Sequence, residues 1–304
     1  RLEARGLTFD ASATSRLAQA WRQRAAHTPW YGRNLQAFRA PGEAATFAPI
    51  VTPDPPAAGS PVLDYPRIAI SMRTVDRSPR PNYLGGTIAR LLAQGIPAAS
   101  IHLCVTSPDT AWLDRQLNGA GVTLHVPTRM LSPNENGLQQ IRVLDPDSAD
   151  WALLLEDDLG FCSDFLGSVQ RWLLAHARPD RHVYRLFGFR VIPPRGKVAA
   201  YDWTLRNLCG SQAVLLRMDE AHDFLAWADA NLLTWGGFRG NAKIAFDKLI
   251  ASWAEARWPG VPGVVSNPLF VQHVGDVSSI HPRAVRNDAL FAGTRWVYRP
   301  QARA

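Results

Sequence analysis

The sequence predicts an α/β fold: a doubly wound, mixed sheet flanked by helices, with a helical arm at the N-terminus. Three observations carry this. Short apolar runs alternate with helical patterns from about residue 66 onward, the mark of strand–helix–strand winding. The uncharged run Trp151–Leu155 reads as a strand buried on both faces. With 46% hydrophobic and 10% aromatic residues, 304 residues can bury a sizeable core.

The elements follow in order. Ser15–Ala26 places Leu17, Ala20, Trp21 and Ala25 at helical spacing, a basic amphipathic helix. Residues 41–66, rich in Pro, Ala and Gly, read as a linker. Arg67–Met72 is a strand, and Arg73–Pro81 a polar, proline-broken loop. Asn82–Gln94 is a helix with apolar Leu84, Ile88, Leu91 and Leu92, stopped by Gly95. Ile101–Val105 and Val122–Val126 are strands, then Glu135–Leu144 is a helix before Trp151–Leu155. Phe165, Leu166, Val169, Trp172 and Leu173 share one helical face. His182–Phe187 and Gln212–Leu216 read as strands, and Asp219 as the cap of a helix to Leu232. Trp235–Asn241 is a glycine-rich aromatic loop, and Ala242–Ala256 a helix carrying Asp247. Val264–His273 is a last strand, bent or at an edge because of Pro268. Arg283, Arg286, Arg295 and Arg299 make a basic tail.

Composition bounds the function. Cys104, Cys162 and Cys209 are isolated, which argues against a disulfide framework or zinc site and suits a reducing, cytoplasmic location. No apolar run approaches the ~20 residues that span a bilayer. The chain has no initiator Met and no signal pattern, so it reads as trimmed. The net charge of +7 is carried almost wholly by arginine, Lys197, Lys243 and Lys248 being the lysines, as in a GC-rich bacterium. It asks for an anionic partner: a phosphorylated substrate, the inner membrane face, or nucleic acid. Nucleic acid ranks last, for there is no Lys/Arg run and no recognised motif. The absence of GxxxxGK[ST] excludes P-loop phosphotransferases; no GxGxxG follows the first strand, which argues against a dinucleotide enzyme, and no GxSxG elbow appears.

The chemistry centres on Glu156, Asp157 and Asp158, which follow the apolar strand directly. Ligands of open α/β sheets bind outside the carboxyl ends of the strands. Adjacent acids repel, and a hard cation such as Mg²⁺ or Mn²⁺, shared with substrate phosphates, would compensate them. The plainer alternative is a solvated acidic turn before a helix capped by Ser163 or Asp164. Ser71, Arg73, Thr74 and Arg77 lie at the end of the first strand, where arginine suits a diphosphate. His273, at the end of a late strand, could return to the metal. Each of these has an ordinary structural alternative of about equal weight. Together they are the pieces of a nucleotide-sugar transferase.

Three segments also carry a family resemblance. Leu155-Glu156-Asp157-Asp158, Phe246-Asp247-Lys248-Leu249-Ile250 and the run Pro268–Ser279 resemble, in this order, motifs of the N-acetylglucosaminyltransferase IV family of GT-A glycosyltransferases. The resemblance spans roughly residues 66–281 as scattered motifs. It implies a GT-A, Rossmann-like domain over 61–304, with a nucleotide-binding half (61–165) and an acceptor half (166–304), after an arm and linker (1–60). It implies Asp157 and Asp158 at the metal and UDP, Asp247 as general base, and His273 near the metal and diphosphate. It also implies UDP-N-acetylglucosamine as donor, and inversion at the sugar carbon. Gly210-Ser211-Gln212-Ala213 resembles a segment that frames the family's acceptor side. Asp276-Val277 departs from the family's Thr-His, which bears on the acceptor.

Physically, a carboxylate in the apolar segment around Asp247 would make a better base for a sugar hydroxyl if buried. A surface acid paired with Lys243 or Lys248 is its alternative. Trp203, Trp235 and Phe238 are candidates to stack an acceptor sugar. Two other functions stay open: a retaining transferase of the same fold, distinguished by the product anomer, and a non-catalytic binder of anionic membrane or glycan, distinguished by salt-sensitive binding without nucleotide.

Overall fold

The computed structural model describes residues 64–78, 82–162, 164–187, 199–205, 210–231, 245–267 and 269–273. The expected N-terminal arm and linker, Ser163, the loop with Trp235 and Phe238, Lys243, Cys209 and the basic tail lie outside the described residues.

The strands are β1 (Ile68–Thr74), β2 (Ile101–Val105), β3 (Thr123–His125), β4 (Trp151–Glu156), β5 (Leu159–Phe161), β6 (Tyr184–Arg185), β7 (Ala199–Trp203), β8 (Ala213–Arg217), β9 (Gly263–Asn267) and β10 (Val271–His273). The helices are α1 (Leu84–Leu92), α2 (Leu113–Leu117), α3 (Pro133–Arg142), α4 (Phe165–His176), α5 (Met218–Asn231) and α6 (Phe246–Arg257). Among the described residues the main sheet has eight strands in the order β3-β2-β1-β4-β8-β6-β9-β7. β1 pairs in parallel with both β2 and β4, and β2 with β3. β8 is antiparallel to β4 and β6, and β7 to β9, so the sheet is mixed, as expected.

Both faces of the sheet are covered. Leu153 and Leu155 of β4 point into one apolar cluster, and Ala152 and Leu154 into the other. Strand residues alternate faces, so an uninterrupted apolar run is what a doubly covered strand requires. Leu84, Ile88 and Leu91 of α1 join the first cluster; Leu138 and Ile141 of α3 join the second. The chain thus winds from β1 outward to β2 and β3, then crosses to β4 on β1's other side. The winding reverses at the carboxyl ends of β1 and β4, and such a point is where open α/β sheets bind ligands.

Several elements differ from expectation. β1 runs two residues further, through Arg73 and Thr74, because both pair with β2 and Arg73 also pairs with Glu156 of β4. α3 begins at Pro133: Ser132 accepts from the Glu135 N–H (3.2 Å) and Glu135 accepts from the Ser132 N–H (2.8 Å). This is a capping box with proline in its first turn. The strand expected over Val264–His273 is two: β9 lies inside the main sheet, and β10 pairs with β5 in a separate ladder. α6 starts at Phe246 rather than at residue 242. α5 starts at Met218, so Asp219 sits in its first turn and not at its cap. The strand over His182–Phe187 shrinks to Tyr184–Arg185, and β5 and β7 were not anticipated. Asp164 stands at the N-cap of α4, as expected, with a left-handed φ of 48°, but its side chain pairs with Arg171 rather than making a cap hydrogen bond. Among the described residues no helix is long and apolar enough to cross a membrane.

Candidate active site

The three acids meet two arginines from β1 and the loop after it. Arg77 grips both aspartates, Nη2 donating to Asp157 Oδ1 and Nη1 to Asp158 Oδ2 at 3.1 Å. Thr74 Oγ1 donates to the other Asp157 oxygen at 2.6 Å. Arg73 Nη2 donates to Glu156 Oε1 and, at 2.7 Å, to Ser211 Oγ. Ser211 Oγ closes the triangle on Glu156 Oε1 at 3.1 Å. Asp157 and Asp158 are only 2% and 4% exposed. This overturns the plain acidic-turn alternative, since a solvated turn would leave its carboxylates in water.

The electrostatics follow from that burial. Loss of water pushes the Asp157 carboxyl up, to about 7; the Arg77 charge pulls it down, and Asp158 adds to the push. Burial also works against the Arg77 charge, but Asp157 and Asp158 outweigh it and hold the guanidinium above its ordinary range.

Asp247 joins the cluster from α6. It is 6% exposed, so it is no surface acid. Its Oδ2 accepts from the Gly210 N–H at 2.6 Å and its Oδ1 from the Lys248 N–H at 2.8 Å. Gly210 has a φ of 84°, a conformation glycine adopts at no steric cost, and this turns its N–H onto Asp247. Its carbonyl accepts from Arg185 Nη2 at 3.0 Å. Gly210 and Ser211 therefore bridge Asp247 to Glu156. The Arg185 guanidinium lies 4.7 Å from the centre of the Trp203 ring. Trp203 thus packs beneath an arginine at the β7 end of the sheet, which is what an ordinary packed aromatic does.

Two expected residues fall differently. Ser71 lies three residues before the end of β1, fully buried, with Oγ 3.8 Å from Cys104 Sγ. It is part of the sheet and does not join the cluster, because β1 is longer than the sequence suggested. His273 is opposite Leu159 in the β5–β10 ladder, one residue from Asp158 along the chain. The register thus brings the His273 backbone to the acids, while its imidazole is not among the described side chains.

Other residues hold the cluster in place and went unnoticed in the sequence. Thr87 of α1 donates to the Asp157 carbonyl (2.7 Å) and accepts from the Leu159 N–H (3.1 Å), fixing the turn of acids. Asn136 Nδ2 reaches the Thr74 and Cys104 carbonyls, and Gln140 Nε2 the Ser71 and Leu155 carbonyls. These two amides tie the ends of β1, β2 and β4 from behind. The available signal was their i, i+4 spacing beside Leu138 and Ile141, polar groups on a face that must be buried. Gly137 lets the Phe246 ring lie against α3, and Arg73 stacks on that ring at 4.9 Å. No signal in the sequence connects Gly137 with Phe246.

The donor chemistry of Asp157 and Asp158 suits a divalent cation, but Arg77 and Thr74 already take up most of it. Both Asp157 oxygens and one Asp158 oxygen accept from Arg77 and Thr74. Among the described residues no three His, Cys, Asp or Glu side chains converge as a metal cage would require.

No family model matches the chain, and no curated protein matches it in sequence. The resemblance to the N-acetylglucosaminyltransferase IV family therefore rests on its motifs. Solved structures similar to this chain include a mannosyltransferase from Pyrobaculum calidifontis in complex with GDP-Man and Mn²⁺. It is 13% identical with a TM-score of 0.40, over 82% of this chain and 63% of that one. S. aureus TarS 1–349 in complex with UDP-GlcNAc is 15% identical with a TM-score of 0.41, over 66% and 55%. A cytidylyltransferase from Leptospira borgpetersenii is 11% identical with a TM-score of 0.37, over 59% and 74%. The chain spans less than two thirds of the length of the first two. At such scores the likeness is a loose one.

Proposed function

We propose that the chain is a nucleotide-sugar transferase of GT-A type that joins a sugar to an acceptor hydroxyl with inversion. The observation that carries this is the meeting of Arg73, Arg77 and the three acids at the reversal point of the sheet, linked by Gly210 and Ser211 to the buried Asp247. A basic fork beside a carboxylate bank suits a diphosphate, and a second carboxylate nearby suits the acceptor.

In this mechanism Asp247 accepts the proton of an acceptor hydroxyl. The hydroxyl oxygen bonds to the anomeric carbon from the face opposite the leaving group. The bond from that carbon to the diphosphate breaks, and the nucleoside diphosphate departs with the electron pair. Arg73 and Arg77 neutralise the charge that builds on it. Two backbone N–H groups orient Asp247, and a carboxylate has about four acceptor sites, so room for the incoming proton remains. Asp157 and Asp158 are the residues that would hold Mn²⁺ or Mg²⁺, which would supply further positive charge to the diphosphate. UDP-N-acetylglucosamine as donor, the arm at 1–60 and the two halves of 61–304 belong to the same proposal, on the motif resemblance.

Thermal-shift screening of UDP-, GDP- and CDP-sugars tests it. A ligand that binds the native state at a hundred times its Kd stabilises by ~2.7 kcal/mol, and the strongest responder names the donor. No response from any nucleotide sugar would sink the assignment. The product anomer separates inversion from retention.

A further inference from the structure

Resting on that function, we propose that Arg77 is the chain's own cation for the Asp157/Asp158 pair and for the donor diphosphate, so that nucleotide diphosphate binds without a divalent metal. Three observations converge. The guanidinium bridges both aspartates, and Thr74 also donates to Asp157. The Arg77 side chain is 7% exposed and sits 5.3 Å from the centre of the Tyr83 ring, so it is built into the fold. Its Nε–H has no hydrogen-bond partner among the described residues.

The third point is the telling one. A guanidinium has five donors, and the aspartates engage one on each terminal nitrogen. A buried donor left unmade is costly, and a phosphate oxygen is the kind of acceptor that completes such a fork. The aspartates hold Arg77 in one orientation, and that orientation leaves the buried Nε–H unused. Loss of either half of this arrangement leaves buried charge uncompensated.

The test measures binding of UDP, GDP and CDP to the wild-type chain, Arg77→Lys and Arg77→Ala, each in EDTA and in Mn²⁺. Wild type is expected to bind its preferred diphosphate in EDTA within about two-fold of its affinity in Mn²⁺. Arg77→Ala is expected to lose about 10–100-fold in EDTA, the worth of charged hydrogen bonds, and to recover part of it with Mn²⁺. Arg77→Lys keeps the charge but not the fork, and is expected to fall between them. If Arg77→Ala does not fold, the wild-type comparison and Arg77→Lys still decide. Wild-type binding that vanishes in EDTA and returns with Mn²⁺ overturns the inference and leaves the transferase standing. Absence of binding of every diphosphate under both conditions overturns both.

Discussion

Two acidic sites stand at opposite ends of β4, and they are managed differently. Glu220 of α5, near the amino end of β4, accepts from His182 Nδ1 at 2.5 Å, and that imidazole stacks on Trp258 at 3.6 Å. Burial pushes the Glu220 carboxyl up and the His182 bond pulls it down. One acid has one main partner, held by a packed indole. At the carboxyl end, Glu156, Asp157 and Asp158 share Arg73 and Arg77, three negative groups against two positive ones. Burying a single acid needs only a staple. Gathering three adds like-charge repulsion, which the proposed function would account for by a ligand.

The sharpest way to break this contrast is Asp247→Asn. It is expected to lower turnover by about 10²–10⁴-fold while nucleotide binding persists, as loss of a general base does. Lost nucleotide affinity in that variant would make Asp247 structural. Next, Asp157→Ala leaves Arg77 buried with half its compensation, and urea denaturation is expected to show a loss of about 3–5 kcal/mol. A loss under ~1 kcal/mol would mean the pair is more solvated than its geometry says. Gly137→Ala drives a Cβ into the Phe246 ring, which supports Arg73 and precedes Asp247. It is expected to cost about 1–3 kcal/mol and to slow turnover. His182→Ala is expected to cost a similar ~1–3 kcal/mol with no change in nucleotide binding. A change in binding would erase the distinction between the two ends.

The smallest effect concerns the capping box. The Arg129 hydrogen bond, helped by the Ser132 N–H, holds the Glu135 carboxyl down at about 2, against an ordinary value of 4.5. A depressed acid stabilises the fold above 4.5, and that contribution is lost as pH falls from 4.5 to about 2. Glu135→Ala is expected to cost about 1 kcal/mol at neutral pH and less as the pH falls toward 2, by denaturation across that range.

Legibility of the site tracked the range of the interactions. Glu156–Asp158 stood out because an apolar strand and its terminal acids are consecutive. Asp247 and Gly210 came from motif resemblance, and their hydrogen bond spans elements distant in sequence. Ser71 lies inside β1 because the end of that strand is set by pairing with β2 and β4, which local polarity at Arg73 conceals. β7 was missed since its partner β9 lies some sixty residues away.

By itself the sequence determined the α/β class, the buried β4 and the place of the acids. These follow from alternation of side chains and from the cost of burying charge, both local in the chain. Only the tertiary structure decided that Arg77 spans Asp157 and Asp158, that Thr87, Asn136 and Gln140 fasten the strand ends, and that β10 returns to β5. Those depend on which side of the sheet each crossover takes, and no stretch of residues read alone contains that choice.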